Sequence, residues 1–192
     1  MKKILIGTHN HGKFKEIAYL VSKKYKKIPP KSLNIPSPKE TGKTFSSNSK
    51  LKADFFSKFV NFPVISDDSG LFVEALNNEP GVKTARYAGE TATAEDNIQK
   101  LLNNLENEDN RNAFFQTVLY FFDGNNRLDT EGILLGTITT SPRGDNGFGY
   151  DPVFEVNGKT LAELSFEEKT KISHRKIATE KMFTLLSEAF KE

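Results

Sequence analysis

The sequence contains no cysteine. This absence excludes disulfides, thiolate metal ligands and cysteine nucleophiles. A long apolar run is also missing, since the longest apolar-rich stretch, 113–122, is interrupted by Gln116 and Thr117 and is too short to cross a bilayer. The first residues are too briefly apolar for a secretory signal and instead predict a strand over 3–7. We therefore expect a soluble protein of the cytoplasm, with no membrane partner.

Charge of either sign is not in excess. The formal net charge at pH 7 is only +2, so the composition gives no reason to expect a nucleic acid as partner. The lysines at positions 23, 24, 26 and 27 are expected to form the solvated end of a helix. The chain is long enough to bury a substantial core, and no repeat or linker divides it. We therefore expect one domain over residues 1–192.

Short apolar runs alternate with helical apolar stripes along the chain. Strands are predicted over 3–7, up to Asp68, and over 113–122, 132–140 and 153–156. Helices are predicted on the stripes that start at Phe14, Leu51, Ile98 and Ala178, with possible caps at Thr44, Thr93 and Ser165. Because the late strands follow one another as in hairpins, the pattern predicts an α/β fold with a mixed, twisted sheet and flanking helices.

The first candidate site is the pair Asp67-Asp68, which follows an apolar run and precedes Ser69-Gly70. We predict a buried strand that ends at the two carboxylates. In open α/β sheets ligands bind beyond the carboxyl ends of strands, so this position suits a metal ion or a general base. Neighbouring side chains on a strand point to opposite faces, so one carboxylate can face a cleft while the other supports the backbone. The alternative is a solvated turn, because Asp, Ser and Gly all favour turns.

The segment Gly7–Lys13 lies between a predicted strand and a predicted helix and matches the first seven positions of a P-loop. Backbone amides at a helix N-terminus attract phosphate, and Lys13 adds a positive charge. The eighth position is Phe14, where a P-loop needs Ser or Thr to hold Mg²⁺. We predict a phosphate-binding loop, with a plain polar turn as the alternative. Any magnesium must then be held elsewhere, by carboxylates such as Glu40, Asp67 or Asp68.

Two later segments combine aromatic, acidic and basic side chains. Phe148-Gly149-Tyr150-Asp151 lies in a glycine-rich loop, where a ring could stack on a base. Alternatively, one or both rings anchor the loop on the core. Ser173-His174-Arg175 follows Lys169 and Lys171 and supplies several hydrogen-bond donors. The alternative there is an exposed helix start with a surface histidine and arginine.

Taken in order, these segments resemble the inosine triphosphate pyrophosphatase family, which hydrolyses non-standard purine nucleoside triphosphates. The resemblance covers almost the whole chain. It depends on seven blocks: Thr8-His9-Asn10 with Lys13; Glu40-Thr41-Gly42 with Thr44-Phe45 and Asn48; Lys52-Ala53; Asp67-Asp68-Ser69-Gly70-Leu71; Pro80-Gly81 with Ala85-Arg86-Tyr87; Phe148-Gly149-Tyr150-Asp151; and Glu167-Glu168-Lys169 with Ser173-His174-Arg175. In one departure, Ser47 stands where the family often has the glutamate of a capping box, so the resemblance does not carry over a tight helix start there.

The resemblance implies a role for each matching residue. Glu40 and Asp68 would hold Mg²⁺, and Asp68 would act as general base. The nucleotide would be bound by Thr8, His9, Asn10, His11, Gly12, Lys13, Ser69, Phe148, Gly149, Tyr150, Asp151, Lys169, His174 and Arg175. The implied fold is an elongated α/β domain with two lobes around a central cleft, usually in a homodimer.

We therefore predict a Mg²⁺-dependent pyrophosphatase that converts ITP, dITP or XTP to the monophosphate and pyrophosphate and so cleanses the nucleotide pool. Magnesium would neutralise phosphate charge, and a carboxylate would orient or deprotonate the attacking water. Attack at the α-phosphorus makes pyrophosphate the leaving group. Two alternatives are a degenerate P-loop NTPase, which would release orthophosphate, and a nucleotide-binding sensor that does not hydrolyse its ligand.

Overall fold

The computed structural model describes residues 1–189, which contain eight β-strands and five α-helices. The strands are β1 (Lys2–Gly7), β2 (Tyr25–Ile28), β3 (Val64–Val73), β4 (Glu79–Pro80), β5 (Asn112–Phe122), β6 (Arg127–Ile138), β7 (Phe154–Val156) and β8 (Lys159–Thr160). The helices are α1 (His11–Leu20), α2 (Phe45–Phe56), α3 (Ala94–Asn104), α4 (Phe166–Ile172) and α5 (His174–Ala189). Among the helices of residues 1–189, none combines the length and apolar character needed to span a membrane.

All eight strands belong to one mixed sheet. Their order is β2-β1-β3-β5-β6-β7-β8, with β4 paired to β3. Strand β1 pairs in parallel with β2 and with β3, whereas the β3–β4, β6–β7 and β7–β8 pairs are antiparallel. The predicted α/β fold with a mixed, twisted sheet and flanking helices is therefore confirmed.

The chain forms two compact units, each assembled from separate segments. The first unit comprises 1–68, 117–132 and 174–189, and the second comprises 69–116 and 133–173. The boundaries fall inside β3 and β5, between Asp68 and Ser69 and between Gln116 and Thr117, and inside β6 after Gly132. The predicted site residues are therefore distributed over both units.

The first unit has one apolar cluster on each face of its part of the sheet. Side chains of α1 and α5 pack on one face, in the cluster Ile4, Ile6, Ile17, Val21, Ile65, Leu119, Phe121, Ala178 and Met182. Side chains of α2 pack on the other, in the cluster Leu5, Ile35, Ala53, Phe56, Val64 and Tyr120. Consecutive residues of β1 and β3 alternate between the two clusters, as the pleat of a strand requires. This alternation decides where the carboxylates that follow on β3 point.

The second unit has a single apolar cluster. It consists of Leu71, Val73, Tyr87, Ile98, Leu101, Leu105, Ala113, Phe115, Ile138, Tyr150, Val153, Phe154 and Leu161. The apolar face of α3 contributes Ile98 and Leu101, as predicted. The predicted cap at Thr93 is also confirmed, because Thr93 Oγ1 accepts from the backbone of Asp96 while Asp96 Oδ2 accepts from that of Thr93.

Several element boundaries differ from the predictions. Strand β3 does not end at Asp68 but continues to Val73, so Ser69-Gly70 is strand and not turn. Helix α1 ends at Leu20, and Lys26 and Lys27 lie in β2 rather than at a helix end. Parallel pairing of β2 with β1 overrides the low strand propensity of lysine at a sheet edge. Strand β6 begins at Arg127, immediately after the turn at 123–126, and not at 132.

The predicted apolar stripe of the second helix, Leu51, Phe55, Phe56 and Phe59, is confirmed only at Phe56, which is fully buried. Leu51 and Phe55 are only half-buried, and Phe59 lies beyond the end of α2 with 51% of its surface exposed. The buried face of α2 instead carries Phe45, Asn48, Ser49, Lys52, Ala53 and Phe56. Polar side chains interrupt this face because Asn48 and Lys52 contact the carboxylate of Asp68 and Ser49 donates to backbone carbonyls of β3 and β5.

Candidate active site

The loop between β1 and α1 is organised by its own polar side chains. Asn10 is the N-cap of α1, and its Oδ1 accepts from the backbone N–H of Lys13 at 3.0 Å. Thr8 is buried, and its Oγ1 accepts from the backbone N–H of Asn10 at 3.2 Å. These bonds fix the loop so that the first turn of α1, with Gly12 and Lys13, stands directly after the end of β1. The predicted order of strand, loop and helix is confirmed.

The two histidines of this loop have different surroundings. The Nε2 of His9 donates to the carbonyl oxygen of Ile35 at 2.9 Å, and its ring centroid lies 5.9 Å from that of Phe56. His9 therefore connects the loop to the chain segment before α2. His11, the first residue of α1, is exposed.

Asp67 is fully buried between two cations. Its Oδ2 lies 3.4 Å from Nζ of Lys13 and 3.5 Å from Nε of Arg175. Burial alone would raise the pKa of Asp67, but Lys13, Arg175 and Lys52 together lower it to about 2. Burial also lowers the pKa of Lys13, more than Asp67 raises it. Asp67 is therefore an anion that holds Lys13 of α1 and Arg175 of α5.

Arg175 has a second carboxylate partner that the sequence did not predict. Its Nη1 donates to Oε2 of Glu16 at 2.8 Å, and both side chains are almost completely buried. Glu16 follows Lys13 by one turn of α1, and Arg175 is the second residue of α5. In the sequence, the only signal for Glu16 was its position one helical turn after Lys13. Its partner Arg175 lies 159 positions away.

Asp68 faces the side of β3 on which α2 packs. Its Oδ2 accepts from Nδ2 of Asn48 at 3.0 Å, and its Oδ1 lies 3.3 Å from Nζ of Lys52. The same Nζ lies 2.8 Å from Oε1 of Glu40. Asp67 and Asp68 therefore point to opposite faces of the strand, as predicted.

The pKa of Asp68 moves in the direction opposite to that of Asp67. Burial raises it, with Glu40 adding to the effect, and Lys52 and Lys13 only partly offset the shift. The pKa of Lys52 is raised, because the attraction of Asp68, Asp67 and Glu40 outweighs the effect of burial. A carboxylate with a raised pKa is a stronger proton acceptor, which suits a general base.

The loop that carries Glu40 is attached to α2 through Asn48. The Oδ1 of Asn48 accepts from the backbone N–H of Gly42 at 2.7 Å. A Cβ at Gly42 would lie 2.3 Å from Oγ of Ser47 and 2.5 Å from Oδ1 of Asn48, so only glycine allows this approach. One amide side chain thus holds both the loop of Glu40 and the carboxylate of Asp68.

The N-terminus of α2 has a complete capping box, with Ser47 at the position where a glutamate is usual. Thr44 Oγ1 accepts from the backbone N–H of Ser47, and Ser47 Oγ accepts from the backbone N–H of Thr44, both at 3.1 Å. Thr44 is thus confirmed as the cap, and serine completes the reciprocal pair of bonds.

The residues around Asp68 fit a magnesium ion. Mg²⁺ binds oxygen ligands and commonly takes one or two carboxylates together with substrate phosphates. Glu40 and Asp68 converge on the Nζ of Lys52, which shows that this position stabilises a positive charge. Within residues 1–189, no cluster of three or more acidic or histidine side chains forms a complete metal site. The two carboxylates would therefore hold the ion jointly with the substrate.

The second unit carries the aromatic loop and Lys169. Oδ2 of Asp151 accepts from the backbone N–H of Phe148 at 2.7 Å and from Nζ of Lys169 at 2.5 Å. That Nζ lies 4.4 Å from the centroid of the Phe148 ring. A Cβ at Gly147, where φ is +80°, would lie 2.1 Å from Oδ2 of Asp151, so glycine is required at this bend. Asp151 thus fixes both the loop and the lysine.

The two rings of this loop differ in role. Tyr150 is only 4% exposed, belongs to the apolar cluster of the second unit and donates from its hydroxyl to the carbonyl oxygen of Thr84 at 3.0 Å. Burial raises the pKa of Tyr150. Tyr150 therefore anchors the loop, while Phe148, Gly149 and Ser69 are only partly buried.

The exposed helix start considered for Ser173-His174-Arg175 is not observed. All three residues are buried. A Cβ at Gly132 would lie 2.0 Å from the carbonyl oxygen of His174, so β6 approaches the first turn of α5 closely. The hydroxyl of Thr130 also donates to the carbonyl oxygen of Ala178 at 2.8 Å. These contacts of the first unit hold the start of α5 against the sheet.

Comparison with known proteins assigns the chain to a family. The sequence model of the Ham1 family matches residues 4–185. The chain belongs to the Ham1 family. The match extends from β1 into α5 and includes every predicted site residue.

Relatives and solved structures agree with this assignment. A protein of Thermoanaerobacter sp. (strain X514) named dITP/XTP pyrophosphatase is 47% identical over 190 residues, which cover 94% of each chain. One of Coxiella burnetii with the same name is 41% identical over 99% of each chain. The structure of a HAM1 protein from Coxiella burnetii, 40% identical, has a TM-score of 0.87 over 98% of this chain and 100% of that one. The family predicted from the sequence blocks is thereby confirmed.

Proposed function

We propose that this Ham1-family chain hydrolyses non-standard purine nucleoside triphosphates, such as ITP, dITP and XTP, to the monophosphate and pyrophosphate. The observation that carries the proposal is the placement of Asp68 beside Glu40, with the pKa of Asp68 raised. Its closely similar relatives named dITP/XTP pyrophosphatase support the substrate class. The degenerate P-loop alternative is not favoured, because those relatives are named for pyrophosphatase activity.

In the proposed reaction the first unit handles the phosphates. Glu40 and Asp68 would hold Mg²⁺, and the ion would neutralise phosphate charge. Lys13 and the amides at the start of α1 attract the phosphates. Asp68 accepts the proton of the attacking water, and the bond to Asn48 keeps its carboxylate in one orientation. Attack at the α-phosphorus releases pyrophosphate.

Identification of the products with ITP and Mg²⁺ tests the proposal. We expect IMP and pyrophosphate in equal amounts, and no activity when a chelator is in excess. Release of IDP and orthophosphate would instead identify an NTPase of the P-loop type. Binding of ITP without any turnover would identify a nucleotide sensor.

We further propose that the base is chosen by hydrogen-bond donors. Hypoxanthine and xanthine present a 6-keto oxygen, an acceptor, where adenine presents an amino group. Lys169 and Arg175 can only donate, and His174 donates from at least one nitrogen. Donors that face an amino group remain unpaired, and sites of this kind can reject the wrong analogue by roughly 10⁴-fold. The ring of Phe148 could stack on any base, so stacking does not discriminate.

The ratio of kcat/KM for ITP to that for ATP tests this account. Arg175→Ala should reduce the ratio, by up to about 10²-fold if one charged hydrogen bond is lost. If the variant lowers kcat/KM equally for both substrates, Arg175 serves the phosphates or the fold. The choice of base would then depend on other residues.

The assembly and location of the protein are also part of the proposal. We propose a homodimer, because the family that the sequence blocks resemble is usually dimeric. Light scattering coupled to size-exclusion chromatography should give twice the chain mass, and a monomer mass would contradict the homodimer.

We propose the cytoplasm as the location of the protein, because the nucleotide pool that the reaction would cleanse lies there. Cell fractionation checks this.

A further inference from the structure

Glu16 is a buried carboxylate to which the proposed reaction gives no role. Only 1% of its surface is exposed, and it lies in the middle of α1. Keeping an ionised carboxylate out of water is unfavourable unless a cation and hydrogen bonds compensate. The compensation comes from Arg175 at 2.8 Å.

Adhesion between α1 and α5 does not account for this buried pair. Both helices already contribute apolar side chains to one cluster. Ile17 of α1 and Val21, which directly follows α1, pack there with Ala178 and Met182 of α5. Burial of such side chains holds two helices together without charge. Replacing a buried ion pair by apolar residues is often neutral or stabilising, so the pair is weak evidence for stability.

Orientation of the guanidinium does account for it. The Nη1 of Arg175 is bonded to Glu16, while its Nε lies 3.5 Å from Asp67. A guanidinium is planar, so carboxylates at two of its nitrogens determine the direction of the whole group. Asp67 lies at a different nitrogen, Nε, and is shared with Lys13. Glu16 supplies the second contact.

We propose that Glu16 is a positioning residue, which holds the guanidinium of Arg175 in the orientation needed to recognise the 6-keto purine. The inference rests on the proposed function and adds a residue of α1 to the determinants of base selectivity. Without Glu16, the guanidinium of Arg175 loses its partner at Nη1 and turns away from its position. Selectivity between ITP and ATP should then fall, although Glu16 itself does not touch the substrate.

The test compares kcat/KM for ITP and ATP in the wild type, Glu16→Ala, Arg175→Ala and the double variant. The ratio of the two values is informative because the fraction of folded enzyme cancels from it. We expect Glu16→Ala to lower the ratio about tenfold or more, as for loss of one hydrogen bond to a charged group. The double variant should have the same ratio as Arg175→Ala, because Glu16 acts through Arg175.

Asp54→Asn is the matched control. It removes a carboxylate that pairs with an arginine, Arg127, in the same unit but outside this network, and its ratio should equal that of the wild type. If Glu16→Ala does not fold, Glu16→Gln carries the test, with a smaller loss because the amide oxygen still accepts from Arg175. An unchanged ratio in the Glu16 variants, or additive losses in the double variant, would overturn the inference. A wild type that releases no pyrophosphate from ITP would refute the proposed function, and the inference would fall with it.

Discussion

At the scale of single residues, two adjacent carboxylates have opposite properties. Burial raises the pKa of Asp68, whereas three cations lower that of Asp67 to about 2 in spite of burial. Environments that separate the pKa values of neighbouring groups also separate their roles. Asp68 has the properties of a proton acceptor, and Asp67 those of a permanent anion.

Asp68→Asn should lower turnover of ITP by at least about 10²-fold, which is the lower end of the range expected for loss of a general base. The amide keeps the shape of the side chain but neither binds a metal well nor accepts a proton. Steady-state kinetics on protein with a wild-type circular dichroism spectrum measures the effect. Near-normal turnover would remove Asp68 from the mechanism.

Asp67→Asn should act mainly on stability and in a pH-dependent way. The pKa of Asp67 is about 2 in the folded protein against an ordinary 3.8. Its charge therefore stabilises the fold above pH 3.8 by about 2 kcal/mol, and this contribution is lost as the pH falls towards 2. Urea unfolding at pH 7 and at pH 2.5 should show a smaller difference between wild type and variant at the lower pH. An equal difference at both would contradict the pKa assignment.

Glu40→Gln should raise the Mg²⁺ concentration needed for the half-maximal rate, because a neutral amide is a weaker ligand for a hard cation. Titration of activity with Mg²⁺ measures this. Glu74→Gln is a suitable control, since Glu74 accepts from Asn110 and Asn112 away from the carboxylates of β3. An unchanged requirement in Glu40→Gln would exclude Glu40 from the metal site.

At the scale of elements, α2 combines a structural and a chemical task. Its N-terminus is capped by Thr44 and Ser47, and its buried face presents Asn48 and Lys52 to the carboxylates. Any loosening of the first turn therefore reaches Asn48, which also bonds the loop of Glu40 through Gly42.

Ser47→Ala should destabilise the protein by about 0.5–1 kcal/mol, the usual effect of losing a cap. Because the next residue is Asn48, kcat should fall as well. Chemical denaturation and kinetics measure the two effects. Ser46→Ala is the control, since Ser46 is an exposed residue of the same helical turn. Equal stability of the two variants would show that the Ser47 hydroxyl contributes nothing.

Elements with local signals were predictable, and those that depend on distant partners were not. The cap at Thr93 and the apolar face of α3 lie within one sequence window. Strand β2 was missed because its stability comes from pairing with β1. The face of α2 was assigned correctly only at Phe56, because Asn48, Ser49 and Lys52 are buried polar residues whose partners are not visible from periodicity.

The candidate site was predictable for a different reason. Asp68, Lys13 and Arg175 belong to sequence blocks that occur in a fixed order, so the roles proposed for them come from the resemblance. Glu16 belongs to none of the blocks used. Its role depends on a contact with a residue 159 positions later, which only the folded chain shows.

At the scale of the whole molecule, the fold should not depend on a metal ion. The ammonium group of Lys52 already stands between Glu40 and Asp68 and compensates their repulsion. A ligand stabilises a protein only when the folded state binds it better than the unfolded state does. Because the two carboxylates would hold the ion only together with the substrate, excess EDTA should leave the Tm of the substrate-free protein unchanged within about 1 °C.

Lys52→Met should reverse this behaviour. Without the ammonium group the two carboxylates repel each other, so the Tm should fall and then rise again as Mg²⁺ is added. Differential scanning calorimetry of the wild type and of Lys52→Met, each with and without Mg²⁺, measures both effects. A Tm of Lys52→Met that does not respond to Mg²⁺ would show that the ion and the ammonium group do not share this position.

Asp67 and Asp68 are adjacent on one extended strand, so the side of the sheet that each carboxylate faces depends on whether its position in the strand is odd or even. Deletion of one residue upstream in β3 would bring the first carboxylate to the α2 side and the second to the side of α1 and α5. Every buried neighbour would then meet the wrong partner at once. A single insertion or deletion in this strand would therefore disrupt the whole site in one step. The site can diversify only by substitutions that keep the length of the strand constant.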